Sequence, residues 1–140
     1  MAKRWGKAEP LVAAHIKGVS FAAIQQHPET FDEFIGHGKS GIYVLRKDRD
    51  VYYVGLAGSL RKRLPAHLND HLRGKWNWFD LYIIKKTKVK YLRDLESLLI
   101  RVSKPPGNKT EPHFICHKNI TKQFKKALEH EIGSFFIPSD

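Results

Sequence analysis

The chain has 140 residues, with 25 Lys and Arg against 14 Asp and Glu, a formal net charge of +11, and 41% hydrophobic residues. That length fits one domain with a core of its own. It holds no apolar run near the ~18 residues that span a bilayer, and its one cysteine, Cys116, excludes an internal disulfide framework and points to a reducing compartment. An excess of this sign gathers polyanions, nucleic acid before anionic lipid, since no long basic amphipathic helix flanks the core.

Met1 to Gly6 carries charges with no apolar stretch behind them, so no secretory leader and a cytoplasmic location are expected. Residues 9–36 read as largely helical. Leu11, Val12, Ile16 and Val19 form one apolar set, Phe21, Ile24, Phe31, Phe34 and Ile35 continue it, and Pro28 divides the stretch into two short helices. Gly36 to Gly41 is a flexible break. Ile42–Leu45 and Val51–Val54 are β-rich runs around a polar turn, which predicts a hairpin. Ser59 is placed to cap a helix in which Leu60, Leu64, Leu68 and Leu72 recur every four residues, with a kink at Pro65. Trp78 to Ile84 reads as a third strand. Val89 to Ser103 has a helical period that Lys104-Pro105-Pro106-Gly107 stops, and a last amphipathic helix is expected over 119–132. These elements predict an α+β domain: a helical extension at 1–36, a central unit at 37–112 with one small sheet, and a C-terminal helix within 113–140 packed on it.

The charge is unevenly spread. Residues 1–36 balance, whereas the rest holds 21 basic and 10 acidic side chains. Three clusters dominate: Arg61-Lys62-Arg63; Lys85, Lys86, Lys88, Lys90 and Arg93; and Lys118, Lys122, Lys125 and Lys126. Trp76, Trp78, Tyr82 and Tyr91 are interleaved with them, a combination suited to nucleic acid, although any one cluster alone is more often a solvated surface.

Two arrangements could carry chemistry. Glu96 falls in the apolar sector of its helix, where a carboxylate needs a cation, an arginine, a metal or an edge that reaches water. Arg93, three residues before it, is one such partner. Arg63 and His67 are spaced i,i+4 beside the leucine stripe, where a guanidinium can fork onto phosphate and an imidazole can bind phosphate or move protons; a solvated basic face is the plainer reading. His71 follows at i+4 from His67. His113, Cys116 and His117 supply three donors with no partner pair elsewhere, so no structural zinc is expected.

Gly41-Ile42-Tyr43, nine residues, then Tyr53-Val54-Gly55 resembles the signature of the GIY-YIG endonuclease family. Arg63 and His67 look like that family's Arg-x-x-x-His, Glu96 matches its metal-binding glutamate, and Asn108 the asparagine that follows the glutamate's helix. The match runs from Gly41 to Asn108. The spacer is about one residue shorter than is usual, Leu56 stands where some members carry lysine, and Tyr52 beside Tyr53 is a rival for its place.

The resemblance implies a three-stranded antiparallel sheet flanked by helices, and a catalytic set of Tyr43, Tyr53, Arg63, His67, Glu96 and Asn108. One Mg²⁺ or Mn²⁺ per active site would be held by Glu96, with water and phosphate filling most of the remaining positions. Tyr43 would orient or deprotonate the attacking water, for which its pKa near ~10 must fall. Tyr53 would hydrogen-bond the phosphate or the water on the metal, Arg63 would neutralise the transition state, His67 would bind phosphate or relay the proton, and Asn108 would position Glu96 or the phosphate. Arg61, Lys62, His71, Lys85, Lys86, Lys88 and Lys90 would grip the backbone.

The expected function is therefore metal-dependent endonucleolytic hydrolysis of DNA, with no membrane partner. The alternatives are a non-catalytic nucleic-acid-binding module on the same scaffold and an RNA-directed or structure-specific nuclease. One active site cuts one strand per event, so a homo-oligomer is a route to double-strand breaks.

Overall fold

Two apolar faces on one sheet set the architecture. In the computed structural model, which describes residues 9–109 and 118–128, strands β1 (Val12–Ser20), β2 (Gly41–Lys47), β3 (Asp50–Ala57) and β4 (Trp78–Ile84) pair antiparallel in the order β1-β4-β2-β3. Helices α1 (Phe21–Gln26), α2 (Pro28–Ile35) and α3 (Leu60–Ala66) contribute to one face. A 3₁₀ helix (Lys86–Tyr91) runs into α4 (Leu92–Ser103), which packs on β2 and β3, and α5 covers Thr121–Ala127. Side chains alternate along the strands. Tyr43, Leu45, Phe79 and Leu81 enter a core with Ile24, Phe31, Ile35, Leu60, Leu64, Leu72 and Trp76. Ile42, Val44, Val54 and Ile84 enter a second core with Leu92 and Ile100.

The hairpin, the strand at 78–84 and the division of α1 from α2 at Pro28 form as expected, Pro28 taking the first turn of its helix, where a missing N–H costs nothing. Besides the helix from Leu60, which ends at Ala66 short of Leu72, two expectations change. The sheet has four strands rather than three, and Val12–Ser20 is the extra strand rather than a helix. Its helical spacing has a physical origin. Ile16 pairs with Leu81 and Val19 with Phe79, so two partners two residues apart face two residues three apart. The register shift between them inserts one residue, and the apolar period of a strand becomes locally that of a helix. The second change is at the helix expected from Val89, which begins as 3₁₀ at Lys86 and turns α at Leu92. Of the helix expected over 119–132, the residues beyond 128 lie outside those described, as do residues 1–8 and His113, Cys116 and His117.

Asp80 locks β1 to the sheet. It has no solvent exposure, yet both carboxylate oxygens are engaged: Oδ1 accepts the Gly18 N–H at 2.8 Å and Oδ2 accepts Arg46 Nε at 2.9 Å. Gly18 has a φ of 68°, the left-handed conformation that glycine adopts without strain, and it lies inside the irregular stretch between Ile16 and Val19. Replacing Arg46 with methionine would leave a buried carboxylate with one backbone donor. Arg46→Met is expected to lower stability by about 3–5 kcal/mol, measured as the shift in urea midpoint at unchanged slope.

Candidate active site

Register and a missing side chain place Tyr43. It pairs across the hairpin with Gly55, and a Cβ at position 55 would overlap the Tyr43 hydroxyl and ring carbon. Only a bare glycine leaves that space, so the second glycine of the hairpin motif exists for the ring of the first tyrosine. Tyr43 has no solvent exposure. Its hydroxyl lies 2.6 Å from His67 Nε2 and accepts a longer hydrogen bond, 3.3 Å, from Arg63 Nε. Arg63 is exposed and links that hydroxyl to the surface.

Tyr53 joins the same group, its ring 6.1 Å from Tyr43 and 5.7 Å from His67 by centroid. A register shift in the β2–β3 pairing sets Leu45 opposite Tyr53 but Arg46 opposite Val51, so Tyr52 is the bulged residue. Tyr53 is thus the tyrosine that meets the site, while Tyr52 uses its carbonyl to accept the Gly107 N–H at 2.7 Å.

Pro65 does not separate Arg63 from His67. The helix ends one residue after it, and the N–H groups of His67, Leu68 and Asn69 bond three residues back, to Leu64, Pro65 and Ala66. This tightened turn keeps His67 over Tyr43, and also does something the i,i+4 spacing did not suggest. In 3₁₀ geometry residues three apart share a side, so the residue brought to His67 is Asp70 and not the exposed His71. Asp70 Oδ2 lies 2.7 Å from His67 Nδ1, and its Oδ1 accepts the Leu72 N–H at 2.9 Å. Asp70 is the site residue that sequence reasoning missed; the proline was the signal for it.

His67 is fully buried with both ring nitrogens engaged. It does not present a free nitrogen to an incoming phosphate. Burial pushes its pKa below the ordinary value, against the pull of Asp70. Burial also pushes the Tyr43 phenol far above its usual range; the Arg63 hydrogen bond opposes this, and nearby Tyr53 adds to the rise. The hydrogen bond to Tyr43 holds Arg63 still more firmly protonated. Asp70 is pushed up by its own burial, but the Leu72 N–H and His67 outweigh that and leave it below the ordinary carboxylate value.

Glu96 and Asn108 both meet the outer edge of β3. Glu96 is half-buried; burial raises its pKa, against a hydrogen bond from the Leu56 N–H and the charge of Arg93. Leu56 adjoins Gly55, the residue over which the Tyr43 ring lies. Asn108 accepts the Val54 N–H at 2.9 Å and donates to the Val54 carbonyl at 2.8 Å. Its amide is spent as a substitute strand residue, holding β3 in place rather than reaching toward Glu96. Of the basic residues, Lys62, His71, Lys86 and Lys90 are exposed and Lys85 half-buried. Arg61 pairs with Asp32 at 3.7 Å and Lys88 with Glu9 at 3.7 Å. The Lys88 and Lys90 ammonium groups stand 6.0 and 5.3 Å from the centre of the exposed Tyr91 ring.

No family model matches the sequence, and no curated protein does. Among solved structures, the chain is similar to the GIY-YIG N-terminal endonuclease domain of UvrC from Thermotoga maritima. A magnesium-bound form matches with 22% identity over 57% of this chain and 97% of that one, at a TM-score of 0.46. Two point mutants bound to the catalytic divalent cation match with 21% and 20% identity, each over 59% of this chain and 98% of that one, at TM-scores of 0.47 and 0.44.

The buried imidazole makes stability depend on pH. With its folded pKa below the ordinary 6.5, the unfolded chain binds a proton that the folded chain refuses. Stability therefore falls as pH drops from about 6.5 toward the folded pKa, with a slope of at most about 1.4 kcal/mol per pH unit. Glu96, raised in the folded state, acts oppositely just above its ordinary 4.5, so the comparison must be with a variant that keeps it. In urea titrations between pH 7.5 and 5, His67→Gln is expected to lose the downward slope that the parent chain shows.

Proposed function

We propose that the chain is a metal-dependent nuclease that hydrolyses phosphodiester bonds, with DNA as its main substrate. One observation carries this reading: a tyrosine hydroxyl held between a guanidinium that donates to it and a buried imidazole nitrogen 2.6 Å away. In the attack, the water oxygen forms the new bond to phosphorus and gives a proton to the Tyr43 oxygen. Tyr43 passes its own proton to His67 Nε2, and the imidazolium so formed is paired with the Asp70 carboxylate. Tyr43 thus need not exist as a free phenolate, which its raised pKa opposes. Arg63 turns its fork onto the phosphate, uncovering the hydroxyl beneath it, and opposes the charge that builds there. Tyr53 hydrogen-bonds the phosphate. The departing oxygen takes its proton from solvent as its bond to phosphorus breaks.

The residues present fit a hard divalent ion. Glu96 is a partly desolvated carboxylate with one backbone donor and a neighbouring arginine, and the described residues hold no group of three or more His, Cys, Asp or Glu arranged around a metal. A single carboxylate suits Mg²⁺ or Mn²⁺, which keep water and take phosphate oxygens. When bound at Glu96, the ion would supply positive charge to the reacting phosphate. Lys62, His71, Lys85, Lys86 and Lys90 would hold the flanking backbone.

The complete burial of Tyr43 and His67 favours a second reading, a nucleic-acid-binding module in which the pair is only a locked core. Incubating the protein with supercoiled plasmid, flapped and bulged duplexes and RNA, with Mg²⁺ and with EDTA, separates the two. Nicking that EDTA abolishes and that Glu96→Ala lacks is the expected outcome; binding without cleavage on every substrate supports the module. Arg63→Ala is expected to lower kcat by about 10²-fold or more with a much smaller change in Kd. A rise in Kd with kcat unchanged would make Arg63 a phosphate contact and nothing more.

A further inference from the structure

We infer that Asp70 is a positioning residue: its carboxylate fixes His67 as the Nδ1–H tautomer and so keeps Nε2 open to the Tyr43 proton. The consequence for turnover rests on the nuclease reading of the same site; the tautomer itself does not.

The assignment follows from donor and acceptor capacity. An ionised carboxylate only accepts, so at 2.7 Å from Asp70 Oδ2 the His67 Nδ1 must carry the hydrogen. Nε2 is then bare, and at 2.6 Å from the Tyr43 oxygen it must accept. Arg63 enforces the same direction from the other end. Its Nε–H donates to the Tyr43 oxygen, which leaves the hydroxyl proton pointing to the imidazole. Asp70 is itself aimed, because Oδ1 is taken by the Leu72 N–H and only Oδ2 is left for the ring. Trp76 Nε1 donates to the His67 carbonyl at 3.2 Å and holds that residue's backbone. The groups facing His67 are Tyr43 from β2, Tyr53 from β3, Arg63 from α3, and Asp70 and His71 from the turn after it. Asp70 is the carboxylate among them, and so the group that can both orient the ring and balance the imidazolium during the reaction.

Asp70→Asn tests this with little change of shape. The amide oxygen keeps the Leu72 bond, which turns the NH₂ toward Nδ1. Nδ1 must then accept, the ring proton moves to Nε2, and the bond to Tyr43 reverses. Nitrogen-15 NMR of the full chain should show His67 as Nδ1–H in the parent and Nε2–H in Asp70→Asn. On a substrate the parent cleaves, kcat should fall by about 10²-fold or more with KM and Kd unchanged, and Asp70→Glu, which accepts only, should restore part of it. A parent ring found as Nε2–H overturns the inference, as does an Asp70→Asn variant with the parent's tautomer or the parent's kcat. A parent that cleaves no substrate while the tautomer inverts as described overturns the nuclease reading and leaves the assignment of Asp70 supported.

Discussion

A hydrogen bond of 2.6 Å between Tyr43 and His67, two side chains with no solvent exposure, is what the site is arranged around. Two polar groups withdrawn from water must satisfy each other and every remaining valence, because a buried donor or acceptor left empty costs about 1–3 kcal/mol. Each end of this bond is therefore continued. Arg63 meets the hydroxyl from the surface and Asp70 meets the far nitrogen of the ring. The bare backbone of Gly55 provides the space in which the phenol lies. Such a chain leaves none of its buried polar atoms without a partner.

A residue that looks harmful in the sequence turns out to build the site. Pro65 removes a donor and ends α3 one residue later, and the chain continues through bonds to the third residue back. Had the helix run on with its ordinary period, His71 would have followed His67 on its face, placing a second imidazole where the Asp70 carboxylate now stands. The tightened turn after it exchanges one for the other. The leucine stripe survives because Leu60, Leu64 and Leu72 still reach the core and Leu68 packs at its margin.

What could be read from the residues depended on how local their geometry is. The hairpin and the separation of α1 from α2 follow from β-rich runs and proline chemistry, the grouping of Tyr43, Tyr53, Arg63 and His67 came only with the resemblance to GIY-YIG endonucleases, and all are present in the fold. β1 was illegible because its bulges disguise a strand as a helix, and because its partner, β4, is distant in sequence, Val12 pairing with Ile84 and Ser20 with Trp78. Pairing with that distant strand, not local propensity, decides its conformation. Asp70 was hidden by the assumption of a continuous helix. Asn108 could be singled out by position, but its use as a substitute strand residue depends on where the loop after α4 comes to rest, which no pattern in that loop states. Nor could the sequence tell that His67 would be sealed from solvent.

The loop that ends α4 has an effect well away from any reaction. A sheet with a free outer strand exposes a row of unpaired amides and carbonyls onto which a strand from another molecule can add. Gly107 and Asn108 occupy the Tyr52 and Val54 positions of that row, and Glu96 takes the Leu56 amide. At the other margin, β1 is interrupted by two register shifts and a left-handed glycine. Among the described residues, both borders of the sheet are thus interrupted where a strand from another molecule would add.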